Sequence, residues 1–353
     1  MMRTHATVMV KFNVRISGDK RYMDRMIRRI ERETGVSDLS ETLVERITPT
    51  DLQSLLLKVY RERVKRRSPS TVFSDYVSNS FTLPSRCDPA LLLEWDRIAF
   101  SNLPDGFEAV ELSPVSPIGS VSCIASISQD WVLTTIRNME VTADPTNVLA
   151  LECARRRHEL TCSEPTNATP VHLACSHRVV RTQRYRSPGA LQHFRLFSLC
   201  SAGRNTRNLR FEIHAMATHI RFYLQSLRDF LGSDIPLRVA IIDLSRDSHD
   251  ESIFSVPLES LKREFDDVEV YLEKMQGVDT GYYHEVRFHV YAGPTKGHEV
   301  ELVDGGGTDW TRKLLNNAKE RLVISGIGSE RLCEKFLPIR QPLLEGTRKS
   351  VRT

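Results

Sequence analysis

Residues 177 to 203 read His-Arg-Val-Val-Arg-Thr-Gln-Arg-Tyr-Arg-Ser-Pro-Gly-Ala-Leu-Gln-His-Phe-Arg-Leu-Phe-Ser-Leu-Cys-Ser-Ala-Gly. Two runs with strand character, Arg178 to Gln183 and His193 to Cys200, flank a turn marked by Ser187-Pro188-Gly189. Arg178, Arg181, Arg184, Arg186 and Arg195 all fall inside this hairpin. So many guanidiniums on one hairpin repel each other unless water or an anion offsets the charge. Water makes it a solvated basic ribbon. An anion makes it a site, because the guanidinium fork matches phosphate and carboxylate oxygens.

Residues 323 to 336, Val-Ile-Ser-Gly-Ile-Gly-Ser-Glu-Arg-Leu-Cys-Glu-Lys-Phe, read as a short apolar strand, a Gly-x-Gly turn and a helix starting near Ser329. Glycine lets a backbone approach a ligand closely, and a helix start favours anions. The two segments together resemble the catalytic domain of class II aminoacyl-tRNA synthetases. Arg181-Thr182-Gln183, a loop and then Phe194 look like the second motif of that family. Gly326-Ile327-Gly328-Ser329-Glu330-Arg331 looks like the third. Gly305-Gly306-Gly307-Thr308-Asp309-Trp310 is similar to the Gly-Gly-Arg-Tyr-Asp element of histidyl-tRNA synthetases. Gly277-Val278-Asp279-Thr280-Gly281-Tyr282-Tyr283 looks like a degraded Arg-Gly-Leu-Asp-Tyr-Tyr signature of the same branch. The matches run in the family's order over roughly residues 90 to 336.

That resemblance implies adenylation of a carboxylic acid by ATP, with Mg²⁺. By it, Arg181 binds the α-phosphate and the substrate carboxylate, and Arg331 covers adenine while reaching the γ-phosphate. Phe194 stacks on adenine, and Gln183 stands where the family has a Glu that accepts from the adenine amino group. His193, Gly326 and Gly328 complete the nucleotide-binding set. Glu299 and Glu301 share a strand face by the period of two and are the expected Mg²⁺ ligands. A pair of acids on a strand is equally a solvated face.

Departures from the family redirect the substrate. Leu196 and Cys200 stand where histidyl enzymes carry a Gln and a Glu that hold histidine, and Gln276 replaces an Arg that supports adenylation. Neither Leu nor Cys grips an ammonium or imidazole by charge, which argues against histidine. The 22 residues after Arg331 are too few for the family's C-terminal anticodon-binding domain, which argues against ordinary tRNA charging. Two readings stand open: a ligase passing an acyl group to a carrier or other acceptor, and a non-catalytic paralogue similar to the ATP phosphoribosyltransferase regulatory subunit acting on a partner enzyme.

The bulk numbers agree with either. The chain has 353 residues, 40% of them apolar, enough for one large domain or two smaller ones. No apolar run approaches a membrane span and no signal-peptide pattern opens the sequence, so a cytoplasmic protein with no membrane role is expected. Net charge is only +4, so basic residues act locally, at Arg61–Arg67, Arg155–Arg157 and the hairpin. RNA binding by the first of these clusters is a third reading. The seven cysteines include no Cys-x-x-Cys pair and read as free thiols in a reducing compartment. His172, Cys175 and His177 lie close in sequence, but a strand would spread them over different faces.

Along the chain, residues 7 to 15 alternate as a strand, and Arg21 to Glu33 and Asp51 to Arg66 are spaced as helices, the second capped by Thr50. Ser68-Pro69-Ser70-Thr71 breaks the pattern. Pro89 to Phe100 is helical, and Phe107 to Leu112 is a strand. Together they are similar in shape to the family's first motif, which implies a homodimer. Trp131 to Ile136 reads as a strand, Asp144-Pro145-Thr146 as the start of a helix through Arg157, and Phe211 to Leu231 as the longest helix, stopped by Gly232. Strands at Leu237 to Leu244, Val268 to Leu272 and Tyr283 to Tyr291 are joined mainly by turns. The fold expected is α+β: a mainly antiparallel sheet flanked by helices, preceded by a small α/β N-terminal region. The boundaries expected are 1–80 for that region, 81–340 for the synthetase-like domain and 341–353 for a tail.

Overall fold

The structure is a computed structural model that describes residues 16–183, 192–244, 252–274, 282–293 and 299–336. The strand expected over 7–15, the hairpin turn, Gln276, the 277–281 part of the Asp-Tyr-Tyr-like signature and the tail lie outside these. The chain divides into two compact units, Met1–Phe73 with Ile136–Asn138, and Ser74–Thr135 with Met139–Thr353.

The first unit is helical where described: α1 (Ile16–Thr34), a single turn α2 (Leu39–Glu41), a π-helical turn at Thr42–Arg46, and α3 (Pro49–Val64). The cap of α3 is Thr48, not Thr50: its hydroxyl accepts from the Asp51 amide at 3.2 Å and donates to Asp51 Oδ2 at 2.8 Å. Pro49 settles this choice, since proline favours the first helical position and so places the cap just before itself. Nothing in α3 is buried, and Leu55, Val59, Tyr60 and Val64 face solvent. The break at Ser68 restarts a helix, α4 (Pro69–Ser78), with Ser68 Oγ accepting from the Thr71 amide at 3.2 Å.

The second unit is built on an eight-stranded sheet in the order β1-β4-β5-β10-β9-β8-β6-β7. The strands are β1 (Phe107–Ala109), β4 (Val171–Val180), β5 (His193–Arg204), β6 (Leu237–Asp243), β7 (Glu269–Lys274), β8 (His284–Ala292), β9 (Val300–Thr308) and β10 (Glu320–Gly328). The two edge pairs, β1 with β4 and β6 with β7, are parallel, and the rest are antiparallel. A small pair, β2 (Val115–Pro117) and β3 (Met139–Val141), stands apart from this sheet. Trp131 to Ile136, expected as a strand, is instead a 3₁₀ turn at Gln129–Trp131 and one isolated bridge at Thr134. The buried Glu140 carboxylate gathers this segment, accepting from Gly119 N, Val121 N and Gln129 Nε2 at 2.8, 3.0 and 2.9 Å.

Because strand side chains alternate, each strand feeds two cores. On the back, Ala174, Phe197, Leu199, Val239, Ile241, Phe288, Val290, Val303 and Ile327 meet α5 (Pro89–Ser101), α8 (Arg210–Leu231) and α9 (Ser252–Glu264), with Trp95, Phe222 and Phe230 among them. On the front, Leu173, Cys175, Cys200, Ala202, Leu322 and Ile324 lie under α6 (Ser120–Ala125), α7 (Pro145–Ser163) and Trp310 of α10 (Trp310–Leu314). A last helix, α11 (residues 329–336), leaves the end of β10 directly.

All seven cysteines are free and five are buried. His172 is set apart on the back, where its Nδ1 lies 2.7 Å from Ser201 Oγ, while Cys175 and His177 share the front. Among the described residues no group of His, Cys, Asp or Glu is arranged to hold a metal ion, and no helix is long and apolar enough to cross a membrane.

Candidate functional site

The two strands of the hairpin pair Val180 with His193, and β10 lies on the other side of β5 with Gly328 opposite Leu196. β4 and β10 therefore run parallel with β5 between them. Arg181, just past β4, and α11, just past β10, emerge at the same end of the sheet.

Arg181 is on the front. Its Nε donates to Ala143 O at 2.8 Å, an Nη donates to Asp144 Oδ2 at 3.2 Å, and its guanidinium carbon stands 5.2 Å from the centre of the Phe194 ring. Asp144 has a second job as the N-cap of α7, its Oδ1 accepting from Thr146 N and Oγ1 at 3.0 and 2.8 Å. One carboxylate thus ties the position of Arg181 to a helix start. Thr182 is fixed through Trp131 O and Asp130 O, and Gln183 follows, half-buried.

The other arginines of the hairpin turn away. Arg178 donates to Glu330 Oε1 at 2.5 Å and Arg195 to Asp96 Oδ2 at 2.7 Å, and both belong to the back. His193 goes with them: its Nδ1 is 2.9 Å from Arg178 Nη1 and its Nε2 2.7 Å from Leu83 O. The structure does not bring His193 to the nucleotide-binding set. It adjoins Phe194 in sequence, and the period of two sends it through the sheet.

β10 presents Gly326 and Gly328 to the front, so this stretch of floor has no side chains. A Cβ on Gly326 would stand 3.4 Å from Ser198 Oγ, and one on Gly328 would stand 3.4 Å from Arg331 Cβ. The Arg331 side chain therefore starts beside Gly328. Its charge also reaches Glu301: burial raises the Glu301 carboxyl, but the close contact of His289 and the charges of Arg287 and Arg331 together bring it below its ordinary value. Gly305 and Gly306 on β9 are filled glycines by contrast. A Cβ on Gly305 would lie 2.5 Å from the Phe288 ring, and one on Gly306 would lie 2.8 Å from the Tyr283 ring.

Glu299 and Glu301 do not form a divalent-cation site. Glu299 is ion-paired with Arg238, and Glu301 Oε1 lies 3.3 Å from His289 Nδ1. A β-bulge between Val290 and Tyr291 sets Glu301 opposite Tyr291. Mg²⁺ needs carboxylate oxygens that are not already committed to cations, and Glu299 is held by the Arg238 guanidinium, so the two acids do not fit it as a pair. A second bulge, with Glu285 at φ 65°, interrupts the alternation of β8, and Arg287 and His289 then face front toward Asp304 at 3.1 and 3.6 Å.

Tyr282 and Tyr283 join the two halves of the front. Burial pushes both phenols well up. Asp144 and Asp304 add to this in both, and Arg181 opposes it at Tyr282 and Arg287 at Tyr283. Cys200, in the place of a substrate-binding acid, is fully buried under α7 with its thiol pushed up by desolvation, and Leu196 is half-buried. Asp144, Asp304, Arg287 and His289 were not among the expected site residues. Asp144 was visible as a helix cap, but its bond to Arg181 spans 37 positions of sequence. A surface cleft of about 480 Å³ lies elsewhere, at the start of β4, lined by Glu108, Arg156, Leu160, Pro170 and His172 among others.

No protein-family model and no curated protein sequence matches the chain. Solved structures do match. An ATP phosphoribosyltransferase regulatory subunit/histidyl-tRNA synthetase from Bacillus halodurans C aligns over 72% of this chain and 82% of its own, at 13% identity and a TM-score of 0.53. Histidyl-tRNA synthetase from Nostoc sp. PCC 7120 aligns over 77% and 75%, at 13% identity and a TM-score of 0.50. The chain has the class II synthetase-like fold, a large and mostly antiparallel sheet flanked by helices.

Proposed function

We propose that the chain binds ATP on the front of the sheet and activates a small carboxylic or amino acid as its adenylate, for transfer to an acceptor outside the chain. The observation that carries this reading is the pair of arginines around one bare strand end: Arg181 beside Phe194, and Arg331 beside Gly328. In this reading adenine stacks on Phe194, with Arg331 across from it and reaching the γ-phosphate. Gln183 accepts from the adenine amino group through its amide oxygen. Arg181 lies against the α-phosphate and the acid's carboxylate.

A carboxylate oxygen attacks the α-phosphorus, the bond to the bridging oxygen breaks, and pyrophosphate departs with the electron pair. Both reactants are anions, so a guanidinium fixed between them lowers the barrier by position and by charge. Asp144 fixes it. No step is assigned to a protein-held metal, since Glu299 is committed to Arg238. The reading carries a homodimer from the family resemblance, and it makes no use of His193.

That commitment of Glu299, with Leu196 and Cys200 in the substrate-binding places, favours a second reading. The same pocket then binds its ligand without chemistry and regulates a partner enzyme, as the regulatory subunit among the similar structures is named for doing. ATP–pyrophosphate exchange across a panel of acids, with Arg331→Ala as control, separates the two. Exchange with any acid, lost in Arg331→Ala, supports the ligase. ATP binding without exchange supports the regulator. Absence of both ends the nucleotide reading.

A further inference from the structure

The bare floor of β10 lies between two unlike walls. In register, Ser198 of β5, Gly326 of β10 and Asp304 of β9 form one row across the sheet. Their strands are neighbours, so the Ser198 and Asp304 backbones stand about 10 Å apart with no side chain between them on the front. One residue pair further along β10, roughly 7 Å away, the Arg331 side chain starts beside Gly328.

Ser198 is fully buried, and its hydroxyl has no hydrogen-bond partner among the described residues. A buried hydroxyl left unpaired is destabilising, and the neighbouring Gly326 adds no side chain that could pair with it. Across the slot, the Asp304 carboxylate is used on one oxygen only. Arg287 Nε approaches Oδ1 at 3.1 Å and His289 Nδ1 approaches the same Oδ1 at 3.6 Å. No described residue bonds Oδ2. His289 Nδ1, itself buried, sits between Asp304 and Glu301 at 3.6 and 3.3 Å and is well aligned for a hydrogen bond with neither. Arg287 is held in turn by the Tyr283 ring, 5.2 Å from the ring centre. Asp304 is therefore braced through Oδ1, which leaves Oδ2 unpaired by any described residue.

We infer that this slot selects the substrate: Asp304 and Ser198 receive a protonated nitrogen at the end of the acid remote from its carboxylate. The inference rests on the proposed reading for the direction in which the acid lies, carboxylate toward Arg181 and Arg331. The slot is bipolar, cationic at the Gly328 end and anionic at the Gly326 end, and a ligand of opposite polarity offsets both charges at once. Asp304 Oδ2 and Ser198 Oγ supply two acceptors. Leu196, the next front residue on β5, supplies apolar contact for the linker between the charged ends. Arg287 and His289 are positioning residues that act through Asp304.

The test is calorimetric titration of the full chain with L-ornithine, L-lysine and L-arginine, and with L-norleucine and L-glutamine as uncharged matches, each with and without ATP. At least one cationic acid is expected to bind ten-fold or more tightly than norleucine. Asp304→Asn abolishes that preference while ATP affinity stays within two-fold. Ser198→Ala, which removes only an oxygen and keeps the fold if Asp304→Asn does not, weakens the cationic ligand several-fold and norleucine not at all. Equal binding of cationic and uncharged acids, or a preference unchanged in both variants, overturns the inference. Preference for a cationic acid in a protein that does not bind ATP leaves the slot standing and removes the nucleotide reading, so the two failures are distinct.

Discussion

The front and the back of the central sheet come from the same strands and differ by one residue of register, yet among the described residues only the back carries a continuous buried polar chain. On the back, His172 Nδ1 lies 2.7 Å from Ser201 Oγ, which lies 2.9 Å from His219 Nε2. His219 Nδ1 lies 2.8 Å from Ser325 Oγ, which lies 3.1 Å from the Tyr223 hydroxyl. His219 and Tyr223 are fully buried and matched throughout. On the front, His177 Nε2, Ser198 Oγ and both amide atoms of Asn147 are buried without partners among the described residues. A buried network is stable when every member is satisfied and costly when some are not. The histidine–serine–tyrosine chain on the back is complete, although Trp95 Nε1 and Arg195 Nε elsewhere on that face are also buried without partners among the described residues; on the front no comparable chain links the described buried polar atoms.

The glycines give the largest test of this contrast. Gly305→Ala pushes a methyl against Phe288 and Ser325 on the back. It should cost about 3 kcal/mol, as overpacked cores do, read as a lower midpoint in urea unfolding. Gly326→Ala on the front meets Ser198 Oγ at 3.4 Å and Phe197 O at 3.7 Å and should stay within about 1 kcal/mol while abolishing ligand binding. Equal losses of stability would erase the distinction between the faces.

Acid reaches the back next. Burial lowers His219 to about 3, so the native chain keeps it neutral. An unfolded histidine takes a proton below about 6.5, so the unfolded state binds more protons there and stability falls with pH. The loss is roughly 1.4 kcal/mol per pH unit from 6.5 toward 3, and His172, also lowered by burial, adds to it. Chemical denaturation at pH 7 and pH 5 should differ by about 2 kcal/mol from His219 alone, and His219→Gln should flatten that slope.

Removing a front cation should leave folding almost untouched. Arg331 is exposed, so Arg331→Ala is expected to shift stability by no more than about 0.5 kcal/mol while ATP affinity drops about ten-fold, which is about 1.4 kcal/mol. Ser198→Ala should have the smallest effect of all. It deletes an unpaired hydroxyl, so stability stays the same or rises by about 0.5 kcal/mol, where Ser325→Ala on the back should lower it by about 1–2 kcal/mol. A Ser198 variant as damaging as the Ser325 variant would show that the hydroxyl is engaged within the protein.

Sequence patterns located most elements because their signals are local. The stripe of α8 and its stop at Gly232, the Asp144-Pro145 start of α7 and the pairing of the hairpin strands were all legible. Boundaries moved where a tertiary partner decided them. β4 begins at Val171 because β1 and β5 flank it there, and the segment near Trp131 gave up strand form to the Glu140 carboxylate. α4 was hidden behind a proline that starts a helix as readily as it ends one.

What the chain determined by itself was the alternation of its strands and the spacing of its glycines, and these suffice for the sheet and for the expectation that Arg181, Phe194 and Arg331 matter. Only the folded molecule decided which arginines of the hairpin serve the front. Arg178 and Arg195 found acids on the back, at Glu330 and Asp96, while Arg181 found Asp144 on the front. It likewise set His193 on the back beside Arg178, paired Glu299 with Arg238, and placed Glu301 and Asp304 on either side of His289. Each of these rests on partners a dozen or more residues apart in sequence, and the charge a side chain meets across a sheet is set by strand register, which no local pattern contains.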